Sequence, residues 1–336
     1  MYPHQYIDRT SGRVITESLL ADRWIGWLYG SAREKAPLIF KALTSARASR
    51  LLGRLNFDWT VHGGVTAVQK TITALGIDMR ECVDPPHTFT TPRRLFERRI
   101  AYWKCRPMPP DPSAIVAPAD AKALVGSLDE TAALFIKEKF FSFTDLIGIW
   151  KKQWIAAFAR GDFAVFRLTP EKYHYNHFPV SGAVVDHYAV EGDYHSCNPA
   201  AVVAAVTPYS KNKRVVTIID TDVAGGTRVG HVAMIEIVAL MIGDIVQCYS
   251  SSKYDNPREI KPGMTVCTGQ PKSLFRPGSS VDVLLFEKGR MRFDADLVYN
   301  RQRTGVHSRF TQGWGCPMVE TDVAVRSSIG VGWKER

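Results

Sequence analysis

The sequence lacks an apolar stretch long enough to cross a membrane. A spanning helix needs about 20 consecutive apolar residues. The nearest candidate, "VAMIEIVALMIGDIV" at 232–246, is shorter and carries Glu236 and Asp244, so it predicts buried strands. The N-terminal "MYPHQYIDRTSGR" also lacks the apolar segment of a secretory signal. We therefore expect any membrane association to be peripheral.

Cysteine is scarce, with six residues in a chain of 336. None of them forms a C-x-x-C pair. This spacing argues against a disulfide scaffold and against a cysteine-based zinc site, and it favours a reducing compartment. We predict no metal cofactor.

Acidic residues are outnumbered, with 33 Asp and Glu against 43 Lys and Arg, for a formal net charge of +10. A basic balance favours anionic partners such as nucleic acids, acidic lipid headgroups or acidic substrates. No zinc-finger spacing, RNA-recognition signature or helix-turn-helix pattern is found. The positive net charge is therefore the only feature of the sequence in favour of nucleic-acid binding. We predict no nucleic-acid partner.

The first third of the chain has a helical pattern. Apolar residues at spacings of three and four predict helices across 17–80, with stops at Gly53 and Gly76. Residues 23–55 hold seven Lys or Arg, one Glu and several aromatic residues. Such a segment suits an anionic membrane surface, and it equally suits a helical hairpin with a solvated basic face.

The rest of the chain has a β pattern. A proline-rich linker at 106–120 precedes short β-branched and aromatic runs that are split by Gly, Pro and Asp. A hairpin turn is predicted at Gly225–Gly226, and a helix within 139–148 capped by Ser142 or Thr144. We predict an α+β fold, with a helical, basic region at 1–112 packed on a β-rich catalytic domain at 113–336.

Three stretches hold residues suited to chemistry. "LFRPGSSVDVLLFE" at 274–287 places Ser279 after Gly278 and before a strand. "KYHYNHFPVSG" at 172–182 holds His174 and His177, and "APADAK" at 117–122 holds Asp120. Taken singly, a serine in a turn, an H-x-x-H pair and an Asp after Pro-Ala are each common without any function.

Together the three stretches supply a serine, an imidazole base and a carboxylate that could orient the base. Ser279 does not lie in the G-x-S-x-G elbow that leads into a helix. It follows a glycine, whose missing side chain leaves the preceding carbonyl open to attack. The sequence therefore raises the hypothesis that the chain cuts itself at Gly278–Ser279.

On these stretches the sequence resembles the phosphatidylserine decarboxylase family of pyruvoyl-dependent, self-cleaving proenzymes. The resemblance includes the Tyr-His-x-x-His-x-Pro motif and the Gly-Ser-strand junction. It extends over most of the chain, including these segments: 118–148, 163–182, 194–202, 211–222, 232–249 and 272–287. The family more commonly has Ser-Thr after the glycine, where this chain has Ser279–Ser280, and many relatives have Gly where it has Ala121.

The resemblance implies a role for each candidate residue. Ser279 would attack the carbonyl of Gly278 and would end as a pyruvoyl group at a new N-terminus. His177 would be the base for self-cleavage, Asp120 would orient it, and His174 would serve decarboxylation and protonation. The products would be a β chain of residues 1–278 and an α chain of residues 279–336, held together as a heterodimer, with a dimer of such heterodimers left open.

The resemblance also implies a cofactor and a substrate. The pyruvoyl group, covalent and derived from Ser279, would form a Schiff base with phosphatidylserine and release CO₂ to give phosphatidylethanolamine at the cytoplasmic side of a membrane. No natural side chain offers such an electron sink. Two alternatives stay open: a pyruvoyl-dependent decarboxylase of a free amino acid, and an uncleaved, non-catalytic lipid-binding protein.

Overall fold

A ten-stranded sheet forms the centre of the computed structural model, which describes residues 2–19, 64–129, 141–204, 208–239, 244–278 and 280–333. Every neighbouring pair of its strands is antiparallel except β1 and β15, which are parallel. Across the sheet the strands follow the order β11 (Thr265–Val266), β7 (Gly182–Val190), β8 (Arg214–Asp220), β9 (His231–Val238), β13 (Ser280–Phe286), β5 (Asp162–Leu168), β4 (Ala121–Ser127), β15 (Thr321–Val323), β1 (Gln5–Asp8) and β2 (Val14–Thr16).

Two three-stranded sheets accompany the large one. The first has the order β10 (Ile245–Gln247), β12 (Pro271–Phe275) and β6 (Tyr175–His177). The second has the order β14 (Met291–Phe293), β16 (Ser328–Gly332) and β3 (Ala114–Val116). All pairs in both sheets are antiparallel.

The helices are short. Their bounds are α1 (Gly64–Leu75), α2 (Pro92–Phe96), α3 (Tyr102–Cys105), α4 (Phe143–Ile147), α5 (Lys152–Phe158), α6 (Pro199–Ala204), α7 (Pro208–Lys211), α8 (Ala295–Arg301) and α9 (Arg309–Trp314). Single 3₁₀ turns lie at Met79–Glu81 and Pro86–Thr88. No helix in the described ranges is long and apolar enough to cross a membrane.

The core has two layers because side chains alternate along each strand. On β13, Val281, Val283 and Leu285 pack with residues of α4, α5 and α9 on one face of the sheet. Leu284 and Phe286 lie on the opposite face, where residues of the small sheets pack. The α+β fold class predicted from the sequence is confirmed.

Several local predictions are also confirmed. Helix α1 ends at Leu75 and is followed by Gly76 at a φ of +64°, a left-handed conformation that glycine adopts without strain. Ser142 caps α4 by accepting a hydrogen bond from the backbone N–H of Asp145. Strands β8 and β9 form a hairpin whose connection contains Gly225 at a φ of +75°.

The N-terminal strands extend the sheet of the β-rich region. β1 pairs with β15, near the C-terminus, and β2 pairs with β1. Residues 5–16, which the predicted boundary at 112 assigns to the helical region, therefore complete the sheet of the second region. The division at 112 stays a prediction, and the basic segment at 23–55 lies outside the described residues.

Candidate active site

The predicted cleavage junction links two sheets. β12 ends at Phe275 in a three-stranded sheet, and β13 begins at Ser280 in the ten-stranded sheet. Gly278, between them, has a φ of +144°, which L side chains rarely adopt. Ser279 itself lies outside the described residues. The backbone conformation therefore requires a glycine on the carbonyl side of the predicted bond.

The two candidate histidines flank the short strand β6, with His174 just before it and His177 as its last residue, and β6 pairs with β12. His177 is opposite Pro271, at the start of β12. At the other end, the backbone N–H of Phe275 donates to the carbonyl oxygen of His174 over 3.1 Å. Along β12, His174 is therefore nearer to the junction than His177.

His177 is fully buried and has a partner at each ring nitrogen. Its Nδ1 lies 2.8 Å from the carbonyl oxygen of Gly269, and its Nε2 lies 3.0 Å from the hydroxyl of Tyr173. Burial lowers the pKa of His177 to about 3. The imidazole is therefore neutral near pH 7 and keeps a free electron pair, while burial disfavours its protonated form.

His174 is equally buried and has one open nitrogen. Its Nδ1 lies 2.8 Å from the carbonyl oxygen of Lys172, whereas its Nε2 has no hydrogen-bond partner among the described residues. The ring of Phe96 packs 3.6 Å away, centroid to centroid. Burial, with the nearby charge of Arg98, lowers the pKa of His174 to about 3.

Asp120 lies just before β4 and is held by an arginine. Its oxygens accept hydrogen bonds from Nε and Nη2 of Arg106 over 3.0 and 2.8 Å, and from the backbone N–H of Val325 over 2.7 Å. Burial alone would raise the pKa of Asp120, but the bonds and charge of Arg106 outweigh it and hold the pKa below its usual value.

Asp120 does not bond directly to His177, because both ring nitrogens of His177 have other partners. The charge of Asp120 nevertheless raises the pKa of both His174 and His177, against the larger effect of burial. The structure therefore brings Asp120, His174 and His177 into one buried region. Their individual roles stay predictions.

A buried polar layer beside the junction was not singled out from the sequence. Glu236 on β9 accepts hydrogen bonds from Lys272, Ser273 and Asn176, which project from the small sheet. Lys272 and Glu236 are both fully buried. In the sequence, the sign of this layer is a glutamate inside the apolar run 232–246, but a single sequence does not reveal its lysine partner.

Asp282 is the least expected member of this layer. It lies opposite Glu236 in the register of β13 and β9, and neither of its carboxyl oxygens has a hydrogen-bond partner among the described residues. Burial, reinforced by the negative charge of Glu236, raises the pKa of Asp282 well above its usual value. The fold therefore favours the neutral acid over the carboxylate at this position.

The junction side of the layer fits a small polar group. The hydroxyl of Ser280 is buried and has no partner among the described residues, as is the case for Nε2 of His174. Buried polar atoms normally have partners, so these two atoms mark places where a hydrogen-bonding group would be accommodated. A carbonyl-bearing terminus at residue 279 is compatible with this environment.

Among the described residues, one cluster has the composition of a metal site, formed by His4, Glu17 and Glu320, whose ligand atoms lie within 4.8 Å of one another. The guanidinium of Arg167 donates to both glutamates, and His4 lies 2.8 Å from Glu320. These positive and polar partners satisfy the carboxylates, so the cluster is an ion-pair network.

Comparison with known proteins gives the family context. The family model for phosphatidylserine decarboxylase matches residues 94–311. The phosphatidylserine decarboxylase proenzyme of Chlamydia pneumoniae is 29% identical over 315 residues, covering 93% of this chain and 96% of that protein. The enzyme of the same name from Fusobacterium nucleatum subsp. nucleatum is 27% identical over 304 residues, covering 89% and 92% respectively.

A plant relative is similar over a shorter span. Phosphatidylserine decarboxylase proenzyme 2 of Oryza sativa subsp. japonica is 31% identical over 265 residues, covering 77% of this chain and 37% of the rice protein. The range 94–311, matched by the family model, contains Asp120, His174, His177 and the junction after Gly278.

Proposed function

This chain belongs to the phosphatidylserine decarboxylase family, and on that premise we propose that it is made as a proenzyme which cuts itself at Gly278–Ser279 and then converts phosphatidylserine to phosphatidylethanolamine and CO₂. It is a decarboxylase, a carboxy-lyase by reaction class.

Self-cleavage begins when the Ser279 hydroxyl attacks the carbonyl carbon of Gly278. The serine proton goes to a base, the peptide bond becomes an ester, and elimination releases the carboxylate of residue 278. Water then hydrolyses the resulting dehydroalanine to a pyruvoyl group with loss of ammonia. The observation that most supports this sequence is the positive φ of Gly278, in the link between two sheets and three residues after Phe275, whose backbone N–H bonds to His174.

The pyruvoyl group supplies a ketone that accepts the electron pair left when CO₂ departs. His174 suits the proton transfers of turnover because its open Nε2 is buried at the junction end of β12. Ser280 and His174 would line the space around the group, and burial there excludes water.

An exposed surface between α4 and α5 supports the proposal that the protein binds a membrane. Between α4 and α5, Ile149 and Trp150 are 65% and 58% exposed, and the exposed Lys152 follows them. Trp and Lys together suit the boundary between apolar and charged layers of a bilayer. We name residues 149–152 the α4–α5 tip and assign it to an anionic membrane surface on the cytoplasmic side.

The position of this tip agrees with a lipid substrate. Nε of Arg214 donates to the carbonyl of Leu146 over 2.9 Å, which fixes α4 to the start of β8. Arg214 pairs with Ile237, and the next residue of β9, Val238, pairs with Ser280. Since neighbouring strands lie about 4.8 Å apart, Arg214, whose side chain holds α4, lies roughly 10 Å from the junction end of β13.

The test is to compare the intact masses of the native protein and of Ser279→Ala. The native protein should yield chains of residues 1–278 and 279–336 and should release CO₂ from phosphatidylserine in mixed micelles. The variant should remain one chain without activity. An uncut, inactive native protein would instead support the non-catalytic lipid-binding alternative, and activity on free serine alone would support the free-amino-acid alternative.

A further inference from the structure

The link between β5 and β6 carries His174 at the junction end of the large sheet. β5 ends at Leu168, which lies opposite Ser280, the first residue of β13. The link then turns, with the backbone N–H of Lys172 donating to the carbonyl oxygen of Thr169 over 2.9 Å, and reaches His174 two residues later. The position of the His174 imidazole therefore depends on what holds this link.

Lys172 fixes the imidazole of His174 through its backbone. The carbonyl oxygen of Lys172 lies 2.8 Å from Nδ1 of His174 and can only accept a hydrogen bond. Nδ1 therefore carries the proton of the neutral imidazole, and the free electron pair is on Nε2, which has no partner among the described residues. A displacement of Lys172 would change the direction in which this electron pair points.

The side chain of Lys172 is anchored by a carboxylate near the other end of the sequence. Its Nζ donates to both carboxyl oxygens of Asp322 over 2.6 and 2.9 Å. Burial alone would lower the pKa of Lys172, but the charges of Asp322 and Asp120 and the hydrogen bonds to Asp322 outweigh it and raise the pKa. The ammonium is therefore charged, and Lys172 and Asp322 form an ion pair.

Asp322 is itself fixed by the large sheet. It lies on β15, opposite Lys122 of β4 on one side and Asp8 of β1 on the other. Nζ of Lys122 lies 3.3 Å from Oδ2 of Asp322, so the carboxylate has a second cationic partner. A strand that is paired on both sides thus gives the flexible side chain of Lys172 a rigid partner.

We propose that Lys172 and Asp322 are positioning residues, whose ion pair holds the 169–174 link so that the open nitrogen of His174 keeps its direction during turnover. This inference rests on the proposed function, in which His174 serves the proton transfers. Lys172 lies before the predicted cut and Asp322 after it. After cleavage the pair joins the two chains, so the chain of residues 279–336 also holds His174 of the other chain in place.

Two backbone contacts limit how far the link can move when the ion pair is lost. The carbonyl oxygen of Glu171 accepts a hydrogen bond from Nη2 of Arg98 over 2.6 Å, and that of His174 accepts one from the backbone N–H of Phe275 over 3.1 Å. Loss of the pair should therefore misdirect the imidazole without unfolding the link. The effect on turnover should be smaller than that of removing His174 itself.

The first experiment compares the turnover of cleaved variants. Lys172→Met keeps the backbone carbonyl and removes the ammonium, so kcat for phosphatidylserine should fall about 10-fold with little change in KM, since a misdirected proton-transfer group slows the chemical step. Lys172→Arg should restore most of the rate, because a guanidinium can donate to the same carboxylate. Asp322→Asn should match Lys172→Met, and the double variant should be no slower than either single variant.

Lys288 and Asp129 supply a matched control. Their ion pair, at 2.7 Å, also joins a lysine to an aspartate across the predicted cut, but it lies beyond the opposite end of β13. Lys288→Met should keep the native kcat. A native kcat in Lys172→Met, or losses that add in the double variant, would overturn the proposal. An uncut or inactive native protein would instead overturn the proposed function.

Proton exchange tests the anchor without any turnover. In uncut Ser279→Ala labelled with ¹⁵N-histidine, NMR follows the Nδ1 protons of His174 and His177 after transfer to D₂O. Adding Lys172→Met should speed exchange at His174 by about 10-fold or more, as expected for a local opening, and leave His177 unchanged, since its Nδ1 bonds to the carbonyl of Gly269. Equal acceleration at both histidines, or none at His174, would contradict the proposal.

Discussion

At the scale of single residues, Asp282 stands out because a fully buried carboxyl group without a partner is costly. Burial and the charge of Glu236 raise its pKa, so the fold disfavours the carboxylate relative to the neutral acid. An unfolded chain, by contrast, ionises this group at a pKa of about 3.9. The folded form therefore binds a proton that the unfolded form releases at higher pH.

This difference in protonation sets the sign of a pH effect. With the folded pKa raised, the ionisation of Asp282 costs no stability below about pH 4, and the free energy of unfolding falls by up to about 1.4 kcal/mol per pH unit above it. The decrease ends once the pH passes the folded pKa. Asp282→Asn, in an uncut Ser279→Ala background, should remove this contribution.

The measurement is urea denaturation of Ser279→Ala with and without Asp282→Asn, between pH 4.5 and 8. The advantage of the Asn variant should grow as the pH rises. If the two proteins showed the same pH dependence, Asp282 would be ionised or solvated in the fold.

His174 should separate self-cleavage from turnover. His174→Ala keeps the partners of His177 and removes the open Nε2 beside the junction, so the chain should still be cut at least partly. Turnover of phosphatidylserine should fall at least 100-fold because a proton-transfer group is lost. His187→Ala is the control, since Nδ1 of His187 bonds to Thr217 instead. Full activity of cleaved His174→Ala would contradict this division of roles.

At the scale of helices and strands, patterns with a local physical cause could be predicted from the sequence. The stop at Gly76 and the Ser142 cap depend on neighbouring backbone groups alone. The partnership of Asp120 with Arg106 depends on how the end of α3 packs against the start of β4, and that of Glu236 with Lys272 depends on strand order and on packing between sheets. A single sequence does not contain that order. β1 and β2, with four and three residues, are too short for a periodic signal.

The α4–α5 tip makes a testable surface. Ile149→Ser with Trp150→Ser should reduce sedimentation with vesicles that contain anionic lipid several-fold, because two exposed apolar side chains are lost. Activity on a short-chain, monomeric phosphatidylserine should be unchanged. A control pair, Val298→Ser with Tyr299→Ser, changes two exposed residues on α8. Equal loss of binding in both pairs, or no loss in the first, would reject the assignment of the tip.

Gly161, immediately before β5, shows a close approach of two backbones. A Cβ atom there would overlap with the carbonyl oxygen of Phe286, at the end of β13. Gly161→Ala should therefore lower the free energy of unfolding by about 2–4 kcal/mol, as expected when strands must separate. Gly289→Ala, at a φ of +71° with open space around it, should cost only about 1–2 kcal/mol. Equal costs in urea denaturation would contradict the close approach.

At the scale of the whole molecule, the predicted cut lies just before a central strand. β13 pairs with β9 on one side and β5 on the other, and every one of its side chains is buried. Residues downstream also supply β14 and β16 to a small sheet and β15 to the large one. The strands of the fragment 279–336 therefore pack against strands of residues 1–278, and the fragment alone cannot bury its apolar side chains in the same way.

The two chains should consequently stay together after cleavage. They are expected to co-elute in size-exclusion chromatography, including in 1 M salt, and to separate only in denaturant. Salt is the informative condition because apolar burial is not weakened by it, unlike surface ion pairs. Separation of the 58-residue chain in salt alone would contradict this packing.

The measurement that tests the central claim most directly is mass spectrometry of the purified native protein after denaturation and treatment with a carbonyl reagent. The account predicts a chain ending at Gly278, with a second chain whose first residue is a pyruvoyl group derived from Ser279 and adds one equivalent of reagent. A single 336-residue chain, or a second chain that begins with an unmodified serine, would contradict it.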